Sequence, residues 1–280
     1  MRLVTYDAGS GPRVGALEGD EVHDLGFDGD MVAFIAAGAP SGRRTPVPGG
    51  ARLLAPLRPR SLRDFLAFEG HMKAALTRLG REIPAEWYEV PAYYKGMPDT
   101  VIGPEQEIPW PPWTERLDHE LELAAVIGPE AVRDLTPANA HTAIFGWTIW
   151  NDMSARDVQA RELPIGMGPG KAKDWDGSNV LGPCIVTADE LDASNLRMTV
   201  RVNGEAWGEA SSGAMHYSFG DLIAYASRSQ TLHPGEVIGS GTAPGGSGIE
   251  LDRWLAPGDV IEMEIEGVGV LRNTIATKGT

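Results

Sequence analysis

The run Leu-Asp-His-Glu-Leu-Glu-Leu-Ala-Ala-Val-Ile-Gly at 117–128 constrains this chain most. It reads as a strand, and residues two apart on a strand share a face. Glu120 and Glu122 therefore point the same way from a segment whose other members include Leu121, Leu123 and Val126. Two carboxylates side by side repel each other unless a proton or a cation lies between them. A third carboxylate, Asp152, follows the next apolar run, 144–150. Carboxylates gathered from two strand ends suit a hard divalent cation such as Mg²⁺. A solvated strand face bearing two glutamates is the alternative reading of the same spacing.

The rest of the composition narrows the classes of function. With 42% hydrophobic and 22% charged residues, the chain has the balance of an ordinary soluble globular protein. No apolar stretch approaches the length of a membrane span, and the opening Met-Arg-Leu-Val-Thr-Tyr-Asp reads as a strand rather than a signal peptide. A formal net charge of −15 argues against a nucleic-acid partner. It does not exclude a small anionic substrate if a metal and a few local Arg and Lys residues reverse the sign inside a site. Cys184 is the only cysteine, which precludes an intrachain disulfide and leads us to expect a cytoplasmic protein.

At 280 residues the chain fits a small domain attached to a larger one. Residues 1–27 read as two or three short strands, with a helix over 30–37. The Gly- and Pro-rich stretch 38–50 suits a linker, so we place a small β-rich domain at 1–55 and the larger domain at 56–280. The pattern over 61–80 predicts a helix, with Ser61 and Asp64 as a capping box and Gly70 as a hinge. Residues 83–115 look irregular. Strands are expected at 117–127, 144–150, 183–187, 196–203, 236–240 and 259–272, with helices near 154–162 and 217–228. The fold class expected is α+β and strand-rich.

Four further segments carry polar chemistry. In Asn-Asp-Met-Ser-Ala-Arg-Asp-Val-Gln at 151–159, Ser154 is placed to cap a helix, and Arg156 and Gln159 share a helix face. His71 lies seven residues after Asp64, two turns along if both are helical. Lys-Ala-Lys-Asp-Trp-Asp-Gly at 171–177 is a polar loop containing Lys173. The Gly-rich stretch 239–250 could wrap backbone N–H groups around an anion, or form a flexible hairpin loop.

Taken together, these pieces resemble the fumarylacetoacetate hydrolase family. The matching stretches are Glu-Leu-Glu at 120–122, the 151–159 segment, Lys-Asp-Trp-Asp at 173–176, Gly-Ser-Gly-Thr at 239–242 and Pro-Gly-Asp-Val at 257–260. The resemblance implies a mixed β-sandwich roll for a catalytic domain at 56–280, a homodimer, and a site for Mg²⁺ (or Ca²⁺ or Mn²⁺). It implies Glu120, Glu122 and Asp152 as metal ligands, with Asp64 as a fourth. The general-base histidine falls on His71 and its partner on Glu250. Lys173 and Gln159 fall on oxyanion-stabilising positions, and Arg156, Tyr94 and Thr242 on substrate-binding ones. Leu66 stands where the namesake enzyme has a second tyrosine, and Lys95, Gly96 and Met97 where it has a basic pair; these departures bear on the substrate, which the resemblance places as fumarylacetoacetate or acylpyruvate type. The implied activity is metal-dependent hydrolysis of a carbon–carbon bond in a β-diketo or oxo acid. Alternatives on the same site are oxaloacetate decarboxylation and keto–enol isomerisation or decarboxylation of hydroxymuconate-type acids. A non-catalytic metal-bearing binding protein is the alternative of another class.

Overall fold

The computed structural model describes residues 1–78 and 80–279. The chain begins with strands β1 (Arg2–Asp7), β2 (Pro12–Glu18) and β3 (Glu21–Asp24), helix α1 (Met31–Ala36) and the short β4 (Thr45–Pro46). Then come β5 (Leu62–Phe65), helix α2 (Glu69–Arg78), β6 (Tyr93–Gly96), β7 (Val101–Ile102) and β8 (Glu107–Trp110). The site-bearing stretch is β9 (Leu117–Asp118), β10 (Leu121–Ile127), β11 (Ile144–Asp152), β12 (Ser154–Ala155) and helix α3 (Arg156–Glu162). It is followed by β13 (Asn179–Thr187), β14 (Arg197–Val202), β15 (Glu205–Ser211), helix α4 (Phe219–Ala226), β16 (Val237–Gly239), helix α5 (Gly248–Leu251), β17 (Val260–Ile265) and β18 (Gly269–Lys278).

Among the described residues, eleven strands form one mixed sheet in the order β4-β3-β2-β1-β13-β11-β10-β16-β5-β6, with β7 beside β13. Five more form a second sheet, β15-β14-β17-β18-β8, and β12 pairs with β9. The chain is therefore strand-rich with few helices, as its sequence leads one to expect. The large sheet buries both faces. Alternate residues of its central strands (Leu121, Leu123 and Ala125 of β10; Ile149 of β11) pack against Met198, Val200, Ile261 and Met263 of the second sheet. The other alternates (Ala124, Val126, Trp150, Leu62 and Val237) pack with Phe34 and Ile35 of α1 and Leu3 of β1. The β1 strand pairs antiparallel with β13, so the N-terminal strands extend the large sheet.

Several local expectations are corrected. Residues 61–80 are not one helix: Leu62–Phe65 is a fully buried strand, and helix begins only at Glu69. The apolar spacing Leu62, Phe65, Leu66 imitates a helix, but β5 hydrogen-bonds on both sides, parallel to β16 and antiparallel to β6. Asp64 is thus a strand residue, not a cap. Gly70 is not a hinge in the positive-φ sense but a close-approach position, since a Cβ there would meet the Pro244 ring at 2.9 Å. Residues 83–115 are not irregular throughout, because they supply β6, β7 and β8. The span 259–272 is a hairpin, β17 and β18, turning at 266–268. Ser154 lies in β12 opposite Asp118 rather than capping α3. Asp157 instead pins the 114–115 turn, accepting from the Thr114 hydroxyl at 2.5 Å and the Glu115 N–H at 3.1 Å.

Trp150 anchors the sheet face that leads into the site. It is fully buried, its indole N–H donates to Asn179 Oδ1 at 3.1 Å, and Gly239 leaves room for its ring. Trp150→Ala should cost about 3–5 kcal/mol, as deletion of a large buried aromatic does. Denaturant unfolding checks this, and a loss under about 1 kcal/mol would contradict the packing.

Candidate metal centre and active site

Strand register gathers four carboxylates at one end of the large sheet. In β10 and β11, Leu121 pairs with Asn151 and Glu122 with Trp150, so Glu122 and Asp152 lie on neighbouring strands and on the Trp150 face. In β5, Asp64 is set between Gly239 of β16 and Tyr94 of β6. Glu120, just ahead of β10, is held by a bridge to Ser247 and by its N–H donating to Asn151 Oδ1 at 3.2 Å. One oxygen from each of Asp64, Glu120, Glu122 and Asp152 lies within 4.8 Å of the others, and all four residues are buried.

Burying so much like charge has a cost, and three oxygens reveal it. Asp64 Oδ1, Glu122 Oε1 and Asp152 Oδ1 are buried with no hydrogen-bond partner. Unpaired buried acceptors are rare in proteins and expensive. Burial, reinforced by the Asp152 charge, raises the Asp64 carboxyl well above the usual range. Burial followed by the Asp64 charge does the same to Glu122, and burial with the Glu120 charge raises Asp152 against the pull of Lys173. Glu120 goes the other way. Burial pushes it up, but Lys173 and then Arg156 hold it ionised, below the usual carboxylate range. An all-oxygen, anionic set with unpaired lone pairs fits a hard divalent cation.

Two buried cations face the cluster. The Lys173 ammonium donates to Glu120 Oε2 at 2.5 Å and to Asp152 Oδ2. The Arg156 guanidinium donates through Nη2 to Glu120 Oε1 at 2.6 Å, through Nε to Asp118 Oδ2 at 2.8 Å and through Nη1 to Gln159 Oε1 at 3.0 Å. Each nitrogen of Arg156 thereby makes one hydrogen bond to a protein group. Among the described residues it ties protein groups together, linking Asp118, Glu120 and Gln159 beside the cluster. The Tyr94 hydroxyl donates to Asp152 Oδ2 at 2.6 Å, so it too supports a cluster carboxylate. Thr242 is buried in the Gly-rich loop.

That loop binds anions, but they are the protein's own. The Gly241 N–H donates to Glu122 Oε2 at 3.2 Å, with Gly241 at φ +80° and its backbone so close to Phe65 O that a Cβ would lie 2.3 Å away. Further along, the N–H groups of Gly248 and Ile249 donate to Asp118 at 2.7 and 3.1 Å. The loop also carries Glu250 to His71, whose Nδ1 lies 3.4 Å from Glu250 Oε1. Glu250 Oε2 accepts from the Ser247 hydroxyl at 3.0 Å and its N–H at 3.3 Å, a capping box that fixes the carboxylate. His71 is buried and lies near enough to Glu120 to interact with it electrostatically. The structure thus brings His71 and Glu250 together and sets them near the carboxylates.

Sequence reasoning missed Asp118 and His119, although both stand in the run first singled out. Asp118 is fully buried among four donors. His119 is fully buried with neither ring nitrogen hydrogen-bonded, and burial lowers its pKa so that it stays neutral. The available signal was their place immediately before Glu-Leu-Glu.

The chain belongs to the fumarylacetoacetate hydrolase family: residues 61–276 match the Fumarylacetoacetate (FAA) hydrolase C-terminal family, and residues 1–56 match the Rv2993c-like, N-terminal family. The chain is similar to a human mitochondrial oxaloacetate tautomerase, 37% identical over 188 residues that span 66% of this chain and 59% of that protein. A fumarylacetoacetate hydrolase from the psychrophile Exiguobacterium antarcticum superposes with a TM-score of 0.84 at 29% identity, covering 99% of this chain and 100% of that one. A 5-carboxymethyl-2-hydroxymuconate delta-isomerase from Mycobacterium smegmatis superposes with a TM-score of 0.80 at 30% identity, again covering 99% and 100%. The family is one of enzymes acting on small oxo acids, usually with a divalent metal. No helix among the described residues is long and apolar enough to cross a membrane.

The electrostatics predict a pH-dependent cation effect. Carboxyls with raised folded-state pKa values contribute stability below their unfolded pKa of about 4, and that contribution is lost as pH rises through the folded value. A cation takes the place of those protons, so its stabilisation grows as pH rises. The difference in melting temperature between Mg²⁺ and EDTA samples should widen from about pH 5 to about pH 8. A difference that is constant or shrinks with pH would contradict the raised carboxyls.

Proposed function

We propose that this chain is a cytoplasmic, homodimeric, Mg²⁺-using (or Ca²⁺- or Mn²⁺-using) enzyme that hydrolyses a carbon–carbon bond in a β-diketo or oxo acid of acylpyruvate type. In this reading residues 56–280 form the catalytic part and residues 1–55 an accessory domain. The observation that carries it is the His71–Glu250 pair set beside four buried carboxylates. A cluster of carboxylates alone would serve a binding protein. A histidine backed by a fixed carboxylate adds the means to move a proton.

The chain's own groups have the following roles. Asp64, Glu120, Glu122 and Asp152 would hold the cation, which when bound supplies Lewis-acid polarisation of the substrate's oxygens. Glu250 Oε1 faces Nδ1 of His71, which leaves Nε2 to accept a proton from water. The hydroxide oxygen bonds to the substrate carbonyl carbon, the carbon–carbon bond breaks, and its electron pair leaves as an enolate that later takes up a proton. Gln159 gives its side-chain oxygen to Arg156 and so keeps its amide N–H₂ available as an oxyanion donor. Lys173 adds a fixed positive charge beside the same oxygens. Tyr94 and Thr242 shape the substrate side. Arg156 acts behind Glu120 and Gln159.

A second reading is keto–enol tautomerisation of an oxo acid, favoured by the human relative and the M. smegmatis isomerase. It needs proton transfer at carbon but no attacking water. Product analysis separates the two: acylpyruvate should give pyruvate and a carboxylate under hydrolysis, whereas a tautomerase only interconverts the enol and keto forms. His71→Ala should lower hydrolysis by about 10²–10⁴, the usual loss on removing a general base. Mn²⁺ binding measured by calorimetry should persist in that variant. Hydrolysis by His71→Ala at the wild-type rate would remove the mechanism, and an enzyme that interconverts oxaloacetate forms without cleaving acylpyruvates would establish the second reading. Light scattering should give a dimer, and a 30.0 kDa particle would contradict the assembly proposed.

A further inference from the structure

Asp118 is the hub of the buried polar network, and neither the cation nor the proposed chemistry requires it directly. It is fully buried at the end of β9. Four donors converge on its two oxygens. The Oδ1 atom accepts from the N–H of His119 at 2.9 Å and of Gly248 at 2.7 Å. The Oδ2 atom accepts from the Ile249 N–H at 3.1 Å and from Arg156 Nε at 2.8 Å. A carboxylate offers acceptors on both of its oxygens. An isosteric Asn would turn an N–H₂ group toward two of these donors.

The two sets of contacts lead to opposite halves of the site. Gly248 and Ile249 open the turn on which Glu250 faces His71. A Cβ on Gly248 would lie 2.1 Å from Arg253 O and 2.6 Å from Asp118 Oδ1, so the backbone there is packed between the Arg253 carbonyl and the carboxylate. Arg156 continues from Asp118 to Glu120 Oε1 at 2.6 Å. A buried charge network of this kind transmits misplacement, because a partner left unpaired cannot turn to water.

We infer that Asp118 is a positioning residue for both halves of the site. Through the 248–249 backbone it aims Glu250 at His71, and through Arg156 it sets the orientation of Glu120 in the carboxylate cluster. The Glu250 half rests on the proposed general-base reading, whereas the Glu120 half requires only that the cluster binds a cation.

The test uses the full chain freed of metal, with Mn²⁺ as the probe. Asp118→Asn should weaken Mn²⁺ binding by about 10–100-fold in calorimetry, the range for groups that orient metal ligands. Arg156→Lys keeps the charge but cannot bridge Asp118 and Glu120, and it should weaken Mn²⁺ binding in the same range. At saturating Mn²⁺, Asp118→Asn should lower acylpyruvate turnover, but should add no further loss to Glu250→Gln, because both changes remove one function. Wild-type Mn²⁺ affinity in Asp118→Asn overturns the Glu120 half, and losses that multiply in the double variant overturn the Glu250 half. If Asp118→Asn does not fold, unchanged Mn²⁺ affinity in Arg156→Lys overturns the link to Glu120. The Glu250 arm then falls to Asp118→Glu, which keeps the charge but displaces the same turn and should likewise add nothing to Glu250→Gln; losses that multiply overturn it. If Glu250→Gln alone turns over at the wild-type rate, the general-base reading has failed, and the Mn²⁺ measurements still decide the role of Asp118 toward Glu120.

Discussion

Mutual repulsion among Asp64, Glu120, Glu122 and Asp152 is the constraint on which the site depends. Four carboxylates with oxygens within 4.8 Å of one another, all buried, cannot all be ionised without compensation. Lys173 and Arg156 provide part of it by clamping Glu120 from both of its oxygens. The remainder shows as raised carboxyls and as three unpaired oxygens, on Asp64, Glu122 and Asp152. A divalent cation satisfies those lone pairs and removes the need for extra protons in the same step. The sheet supplies the rigidity that keeps such charges from relaxing apart, because β11, β10, β16 and β5 lie side by side in it and fix their spacing.

Around this centre the chain reuses its backbone as a set of donors. The Gly-rich loop turns N–H groups toward Glu122 and Asp118, and its tight approaches at Gly241 and Gly248 leave no space for a side chain. The same loop ends in Glu250, so the segment that steadies the cluster also carries the partner of His71. Helix α2 reaches it through Gly70 against Pro244. Proton-transfer and cation-binding groups are therefore held by one connected framework rather than by separate elements.

Much of this was legible in the sequence, for physical reasons that differ by residue. Period-two alternation placed Glu120 and Glu122 on one face; the register fixes Glu122 within β10, while Glu120 precedes the strand and reaches the same cluster. Resemblance carried Asp64, His71 and Glu250: the seven-residue interval does not set Asp64 and His71 on one helix face, because Asp64 lies in β5 and His71 in α2, and no local spacing reaches Glu250. Local pattern failed at 61–66, where apolar residues three and four apart mimic a helix although tertiary pairing makes a strand. It failed again at Ser154, whose capping potential yields to pairing with Asp118. The engagement of Arg156 was invisible because its partner Asp118 lies 38 positions earlier, and a charged residue in an apolar run does not announce which donors will surround it.

The central claim is that the four carboxylates form a single divalent-cation site. Anomalous diffraction from crystals grown with Mn²⁺ tests it most directly. The account predicts one strong peak among the carboxylates of Asp64, Glu120, Glu122 and Asp152, at oxygen distances of about 2.0–2.3 Å. Crystals saturated with Mn²⁺ that show no peak there, with Lys173 still bonded to both Glu120 and Asp152, would contradict it.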